Sequence, residues 1–177
     1  MAIRVSVLGV GAIGSVVAAA LATTDAELHL HVRGERGAAQ MLQGLRVSGH
    51  RTHELASNRF LFSCEELPVD DGLLHGSSLV ILACKSGDVA HLAQAARTFL
   101  EPDGLVLALC NGLGHVETLT RIHVPASVLA ASTTHGAYAE GDGVVWAGFG
   151  GIGLAAPPLG PKPNRVEQVR SLLEAAE

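Results

Sequence analysis

Three glycines near the N-terminus have the spacing of a phosphate-binding loop. Gly9, Gly11 and Gly14 form a G-x-G-x-x-G pattern between an apolar run at 3–8 and an alanine-rich run at 12–23. A strand before and a helix after are the context in which this pattern binds a dinucleotide, because free N–H groups at the helix start face the pyrophosphate. The alternative is that the glycines only allow a tight turn. We expect cofactor contacts from Gly9, Val10, Gly11, Ala12, Ile13 and Gly14.

Arg33 is the residue that distinguishes between two nicotinamide cofactors. It follows the second predicted strand, Glu27–Val32, where an NAD-binding protein has an acidic residue for the ribose hydroxyls. An arginine there, with Arg36 nearby, forms charge-assisted hydrogen bonds to a 2′-phosphate instead. The pattern therefore favours NADP, the alternative being an arginine that only faces solvent.

Lys85 and Asn111 each follow an apolar run, at 79–84 and 105–110. The carboxyl ends of parallel strands meet at one edge of the sheet, and ligands bind beyond that edge. Both residues are therefore expected to border the cofactor cleft. Simpler roles remain open, a solvated strand end for Lys85 and a turn former for Asn111.

Composition excludes several classes of function. The formal net charge is −5, and lysine occurs only at positions 85 and 162, so no basic cluster for a nucleic acid exists. No apolar run reaches the ~18 residues of a membrane span, and we expect a protein of the cytoplasm without a membrane partner. Three scattered cysteines predict neither a disulfide framework nor a zinc site. His29 and His31 share one side of a strand without a further ligand, so we predict no metal and imidazoles that are either hydrogen bonded or at the surface.

The elements that would position these residues alternate along the chain. Strands are predicted at 3–8, 27–32, 44–49, 59–63, 78–84, 105–110, 128–133, 144–146 and 152–155, and helices at 12–23, 34–43, 89–100 and 116–122. This alternation predicts an α/β fold, a Rossmann-type doubly wound, mostly parallel sheet with helices on both faces.

The C-terminal part is predicted to differ from the rest. Residues 1–156 form the dinucleotide-binding domain, and 157–177 form a proline-rich loop and a terminal helix capped by Asn164. That helix carries an apolar stripe from Val166 to Ala176, so it is built to pack on something. We expect a partner, either a helical domain that follows the chain or one supplied by another chain.

Several motifs in order give the chain a resemblance to a known family. They are Gly9 to Gly14, Arg33, Val-x-x-x-x-Lys ending at Lys85, Asn-Gly-Leu-Gly starting at Asn111, Ser-Thr-Thr-His-Gly-Ala ending at Ala137, and the glycine-rich segment 148–153. The chain resembles the N-terminal half of ketopantoate reductases (2-dehydropantoate 2-reductases), which use NADPH.

This resemblance implies functions for the matching residues. Lys85 and Asn111 would lie near the nicotinamide ribose, Asn111 would also contact the substrate, and Ala137 would contact NADP through its backbone. The substrate would be a small 2-oxo acid, most simply 2-dehydropantoate. No catalytic residue is expected in this chain, because the family's general acid, a lysine, and its glutamate would lie beyond Glu177. A homodimer or a separate C-terminal domain chain would complete the enzyme.

Two other functions remain open. The chain could be a non-catalytic module that binds or senses NADP(H), or a related reductase with another substrate, such as a 6-phosphogluconate or glycerol-phosphate type. Cys110 and Trp146 bear on the second possibility. Family members commonly have glutamine or histidine at the first position and often histidine at the second, so the cleft wall differs here.

Overall fold

A computed structural model describes residues 3–66 and 76–176, except for the side chain of Arg36. The strands are β1 Arg4–Leu8, β2 Glu27–Val32, β3 Leu45–Gly49, β4 His53–Leu55, β5 Leu61–Cys64, β6 Ser77–Leu82, β7 Leu100–Leu109, β8 Val128–Thr133, β9 Gly136–Glu140, β10 Gly143–Gly148 and β11 Ile152–Ala155. The helices are α1 Ala12–Leu21, α2 Gly34–Gln43, α3 Val89–Phe99, α4 His115–Ile122 and α5 Pro163–Ala176. None of these helices is long and apolar enough to cross a membrane.

The main sheet has seven strands within the described ranges, in the order β11-β8-β7-β6-β1-β2-β5. Neighbouring strands are parallel except β11, which runs antiparallel to β8. Alternate residues of β6 face opposite layers, since Leu79 and Ile81 pack with α1 whereas Val80 and Leu82 pack with α3 and α4. A strand covered on both faces reads as a continuous apolar run. The predicted Rossmann-type fold is confirmed.

A second sheet was not predicted. It has the order β4-β3-β10-β9 and joins strands from the middle and the end of the chain, with β3 and β10 parallel. The alternation of strands and helices predicts one sheet, but the predicted strands at 44–49 and 144–146 pair with each other in this second sheet. This sheet covers the outer side of α1, whose inner side packs on β1 and β2. Because α1 is buried on both sides, almost all of its residues are small or apolar.

The terminal helix α5 packs on the same chain. Its predicted apolar stripe is confirmed, with Val169, Leu173 and Ala176 buried against the core that contains α1. The stripe therefore no longer argues for a separate partner. The helix begins at Pro163, a residue suited to a first helical position, so Asn164 lies inside the first turn rather than at the cap.

Candidate functional site

The loop between β1 and α1 has the tight geometry that its glycines predict. Gly9 has a φ of +89°, and a Cβ there would lie 2.8 Å from the carbonyl oxygen of Ala83 at the end of β6. A Cβ on Gly14 would collide with the carbonyl oxygen of Gly9. Larger residues at either position would push α1 away from the strands against which it is positioned.

Gly11 has a different surrounding. A Cβ there would meet no atom within 4 Å, so the backbone at the start of α1 faces open space. No side chain caps this end, and the first turn has no acidic residue. The free N–H groups and the positive end of the helix dipole therefore face a space that an anion can enter. The residues present fit a cofactor pyrophosphate.

This open space belongs to a cleft of about 880 Å³ at the carboxyl edge of the main sheet. The cleft is lined by Gly9, Val10, Gly11, Ala12, Ile13, His31, Val32, Arg33, Gly37, Gln40, Glu65, Ala83, Cys84, Lys85, Ser86, Asp88, Leu92, Leu109, Cys110, Asn111, Gly112 and Thr133. The structure thus brings together most of the residues that the sequence singles out. Gly14 lies behind the lining, in keeping with its packing contact.

Arg33 lies at the end of the cleft beyond β2. Its side chain is 65% exposed, and its guanidinium nitrogen Nη1 lies 3.6 Å from Oδ1 of Asp88, on the opposite wall. An exposed pair of this length contributes little stability, so the guanidinium can turn to an anionic ligand. The side chain of Arg36, the second arginine considered for this anion, lies outside the described part of the structure.

Lys85 and Asn111 border the cleft from β6 and β7. Lys85 is exposed and directly precedes a single helical turn, Ser86–Asp88. Asn111 has a structural function that the sequence did not predict: Nδ2 donates to the carbonyl of Thr133 at 2.7 Å, and Oδ1 accepts from its N–H at 2.9 Å. The second Nδ2 hydrogen remains for a ligand.

Ala137, like Gly14, is a predicted contact that the structure does not bring to the cleft lining. It lies in β9 of the second sheet, opposite Trp146 of β10. The preceding His135 holds the neighbouring glycine-rich segment, since its Nδ1 accepts from the N–H of Gly150 at 3.0 Å.

The two histidines of β2 form a buried polar chain with three serines. Hydroxyl groups of Ser6 and Ser63 lie 2.8 Å from the two ring nitrogens of His29, Ser63 also lies 2.8 Å from Nδ1 of His31, and Ser77 continues the chain at 2.7 Å from Ser6. Burial, with the neighbouring His31 and Arg4, lowers the pKa of His29 to about 3. Of the two options that the sequence left open for these imidazoles, hydrogen bonded or at the surface, the structure shows the first.

The cysteines in the cleft wall are not activated. The thiol of Cys110 donates to the carbonyl of Cys84 at 2.9 Å. Burial raises the pKa of the Cys84 thiol to about 12 and also raises that of Cys110. Since the thiolate is the nucleophile, neither side chain is suited to nucleophilic catalysis at neutral pH.

Two acidic residues at the arginine end were missed by sequence reasoning. Oε1 of Glu65 lies 2.8 Å from Nε2 of His91, and Glu66 accepts a hydrogen bond from the backbone N–H of Gly34 at 2.7 Å. The available signal was their position directly after β5, whose carboxyl end meets the same sheet edge as that of β2.

Comparison with known proteins gives one family. Residues 5–157 match the family described as Ketopantoate reductase PanE/ApbA. Among curated relatives, the 2-dehydropantoate 2-reductase of Halobacterium salinarum is 34% identical over 168 residues, 94% of this chain and 53% of the relative. That of Pyrococcus abyssi is 27% identical over 175 residues, 98% of this chain and 54% of the relative. The chain spans about half the length of the curated relatives it matches.

Solved structures share the fold. A 2-dehydropantoate 2-reductase from Geobacter metallireducens superposes with a TM-score of 0.79 at 21% identity, over 98% of this chain and 56% of the other. A ternary structure of D-mandelate dehydrogenase with NADH and anilino(oxo)acetate gives 0.84 at 21% identity, over 98% and 54%.

Proposed function

Since this chain belongs to the ketopantoate reductase PanE/ApbA family, we propose that it is the cofactor-binding half of an NADPH-dependent reductase of a 2-oxo acid, most simply 2-dehydropantoate reduced to pantoate. The observation that carries the proposal is the arrangement along one cleft. The cleft is lined by Gly11, Arg33, Lys85 and Asn111. Gly11 follows β1, which lies in the sheet between β2, which Arg33 follows, and β6 with β7, which Lys85 and Asn111 follow. Such a cleft matches an extended dinucleotide with its pyrophosphate in the middle.

The chain's own residues bind and orient the cofactor. NADPH would supply a hydride for the carbonyl carbon of the substrate. The N–H groups at the start of α1 would hold the pyrophosphate, and Lys85 with Asn111 would lie beside the nicotinamide ribose. Because both ends of the Asn111 amide are tied to Thr133, its remaining hydrogen has a fixed direction toward ribose or substrate.

NADP is proposed over NAD because of Arg33. A structural neighbour holds NADH, so the family fold accommodates a nicotinamide dinucleotide without a 2′-phosphate, and the arginine is what favours the phosphate here. Titration of NADPH and NADH, followed by nucleotide fluorescence, tests this. Arg33→Gln is expected to weaken NADPH binding by about 10- to 100-fold, the value of one or two charge-assisted hydrogen bonds, and NADH binding less than threefold.

Arg97→Gln is the matched control. It removes an exposed guanidinium from the last turn of α3, while the cleft adjoins that helix at its other end. Its NADPH affinity should equal that of the wild type. Equal or tighter binding of NADH than of NADPH by the wild-type chain would overturn the assignment of NADP.

The proton donor is proposed to lie outside these 177 residues. In this proposal 1–156 form the dinucleotide-binding domain, and 157–177 lead to a helical domain that carries a lysine and a glutamate. The half-length match to the curated relatives supports it. The 177-residue chain is then expected to bind NADPH without appreciable turnover of 2-dehydropantoate, and sustained NADPH oxidation with that substrate would refute this part. We also propose a cytoplasmic location, which suits its free cysteines.

A further inference from the structure

Glu66 stands where two neighbouring strands leave the main sheet. β2 and β5 are parallel with Val32 opposite Cys64, and the N–H of Glu65 donates to the carbonyl of Val32 at 3.0 Å. This register places Glu66, two residues after Cys64, beside Gly34, two residues after Val32. The N–H of Gly34, the first residue of α2, therefore donates to Oε2 of Glu66 at 2.7 Å, and the Cys64 thiol donates to the same oxygen at 3.0 Å.

The same N–H is next to the proposed phosphate ligand. Gly34 directly follows Arg33. The guanidinium is near enough to Glu66 for its charge to add to the effect of the Cys64 thiol in lowering the pKa of that carboxyl. Because the exposed guanidinium can turn away from Asp88, we infer that it can hold an anion at the start of α2, where the N–H groups and the helix dipole attract negative charge. In this structure the Glu66 carboxylate holds that N–H. The thiol of Cys64 and the N–H of Gly34 lower the pKa of Glu66, which keeps the carboxylate charged at neutral pH.

We propose that Glu66 limits the preference of this cleft for NADPH over NADH, because its carboxylate competes with the 2′-phosphate for the Gly34 N–H and repels it beside Arg33. The inference rests on the proposed function. NADH brings no such conflict, because its ribose 2′-hydroxyl is neutral and can donate to a carboxylate, as in NAD-binding proteins. Arg33 and Glu66 then act in opposite directions on one part of the cofactor.

The test compares dissociation constants of NADPH and NADH for the full 177-residue chain and two charge-matched variants. Glu66→Gln removes the negative charge beside the Gly34 N–H and keeps a side-chain oxygen that can accept from it. Glu35→Gln removes a charge of the same sign from the exposed first turn of the same helix. A carboxylate that occupies the same N–H group as the phosphate would, and so carries a like charge beside it, is expected to cost about tenfold in affinity. The NADH-to-NADPH ratio of dissociation constants should therefore rise about tenfold in Glu66→Gln and clearly less in Glu35→Gln, because Glu66 accepts a hydrogen bond from the N–H that the phosphate would use.

Glu66→Ala provides a second measurement. It removes charge and acceptor together, so NADPH binding should tighten while NADH binding weakens about tenfold, the size of one hydrogen bond to a charged group. The inference is overturned if the ratio stays unchanged in both Glu66 variants, or if Glu35→Gln changes it equally. A wild-type chain that binds neither nucleotide overturns the proposed function as well, whereas NADPH binding that depends on Arg33 but not on Glu66 overturns the inference alone.

Discussion

The buried imidazole of His29 should make the stability of this fold sensitive to mild acid. His29 is fully buried, both its ring nitrogens are hydrogen bonded to serines, and its pKa lies near 3 against an ordinary value of 6.5. Between these values the unfolded chain binds a proton that the folded chain does not. The stability contributed by neutral His29 is therefore complete above about pH 6.5 and is lost progressively as the pH falls toward 3.

The size of this effect follows from the two pKa values. Each pH unit below 6.5 costs about 1.4 kcal/mol for one such group. Lowering the pH from 7.5 to 5.0 should thus remove about 2 kcal/mol of the free energy of unfolding through His29 alone. His31 acts in the same direction, because burial lowers its pKa as well.

Urea unfolding at pH 7.5 and 5.0 measures the effect for wild type and His29→Gln. The variant should lose about 2 kcal/mol less than wild type over this interval, whatever its stability at pH 7.5, because contributions common to both proteins cancel. Phe99→Leu is the control, since the Phe99 ring lies 4.7 Å from that of His29 and does not titrate. It should lose stability equally at both pH values. Equal pH dependence in wild type and His29→Gln would refute the reasoning.

Two further predictions concern the cleft wall. Gly14→Ala should destabilise the fold by about 1–3 kcal/mol through the collision with Gly9, whereas Gly11→Ala should unfold like wild type in urea but bind NADPH more weakly. Equal stability losses would contradict the distinction between packing and ligand contact. Asn111→Ala should lower the free energy of unfolding by about 1–3 kcal/mol, because both backbone groups of Thr133 lose their hydrogen bonds to Asn111. A loss below ~0.5 kcal/mol would show that these two hydrogen bonds are unimportant for stability.

The strands of the main sheet and the helices beside it are predicted well, because each is marked by a pattern within its own stretch of sequence. The predicted bounds of β2, α2, β8 and β11 agree with the structure. Each combines a periodic or continuous apolar run with turn-forming residues at its ends. The glycine loop is predicted for the same reason, since its pattern and its flanking elements all lie between Arg4 and Leu21.

The second sheet could not be predicted from local signals, because its central pair joins β3 to β10 across about a hundred residues. Its outer strands β4 and β9 are short or exposed and carry no apolar run. One indirect signal was present. Helix α1 has no polar face, and a helix that is apolar on all sides must be covered on all sides.

The arginine end of the cleft likewise depends on residues that are far apart in the sequence. From the chain alone, Arg33 is one cation after a strand, and the two glutamates after β5 belong to a different part of the sequence. Because β2 and β5 pair in parallel, Arg33 and the two glutamates lie at the same end of the cleft. A cofactor bound there would meet the combined electrostatic field of these charges and not that of Arg33 alone. Whether a strand-end arginine selects for a 2′-phosphate therefore depends on the residue that follows the neighbouring strand. In this fold the second residue after that strand, Glu66, accepts a hydrogen bond from the first N–H of α2. Under our proposal it offsets part of the preference for NADPH that Arg33 alone would give.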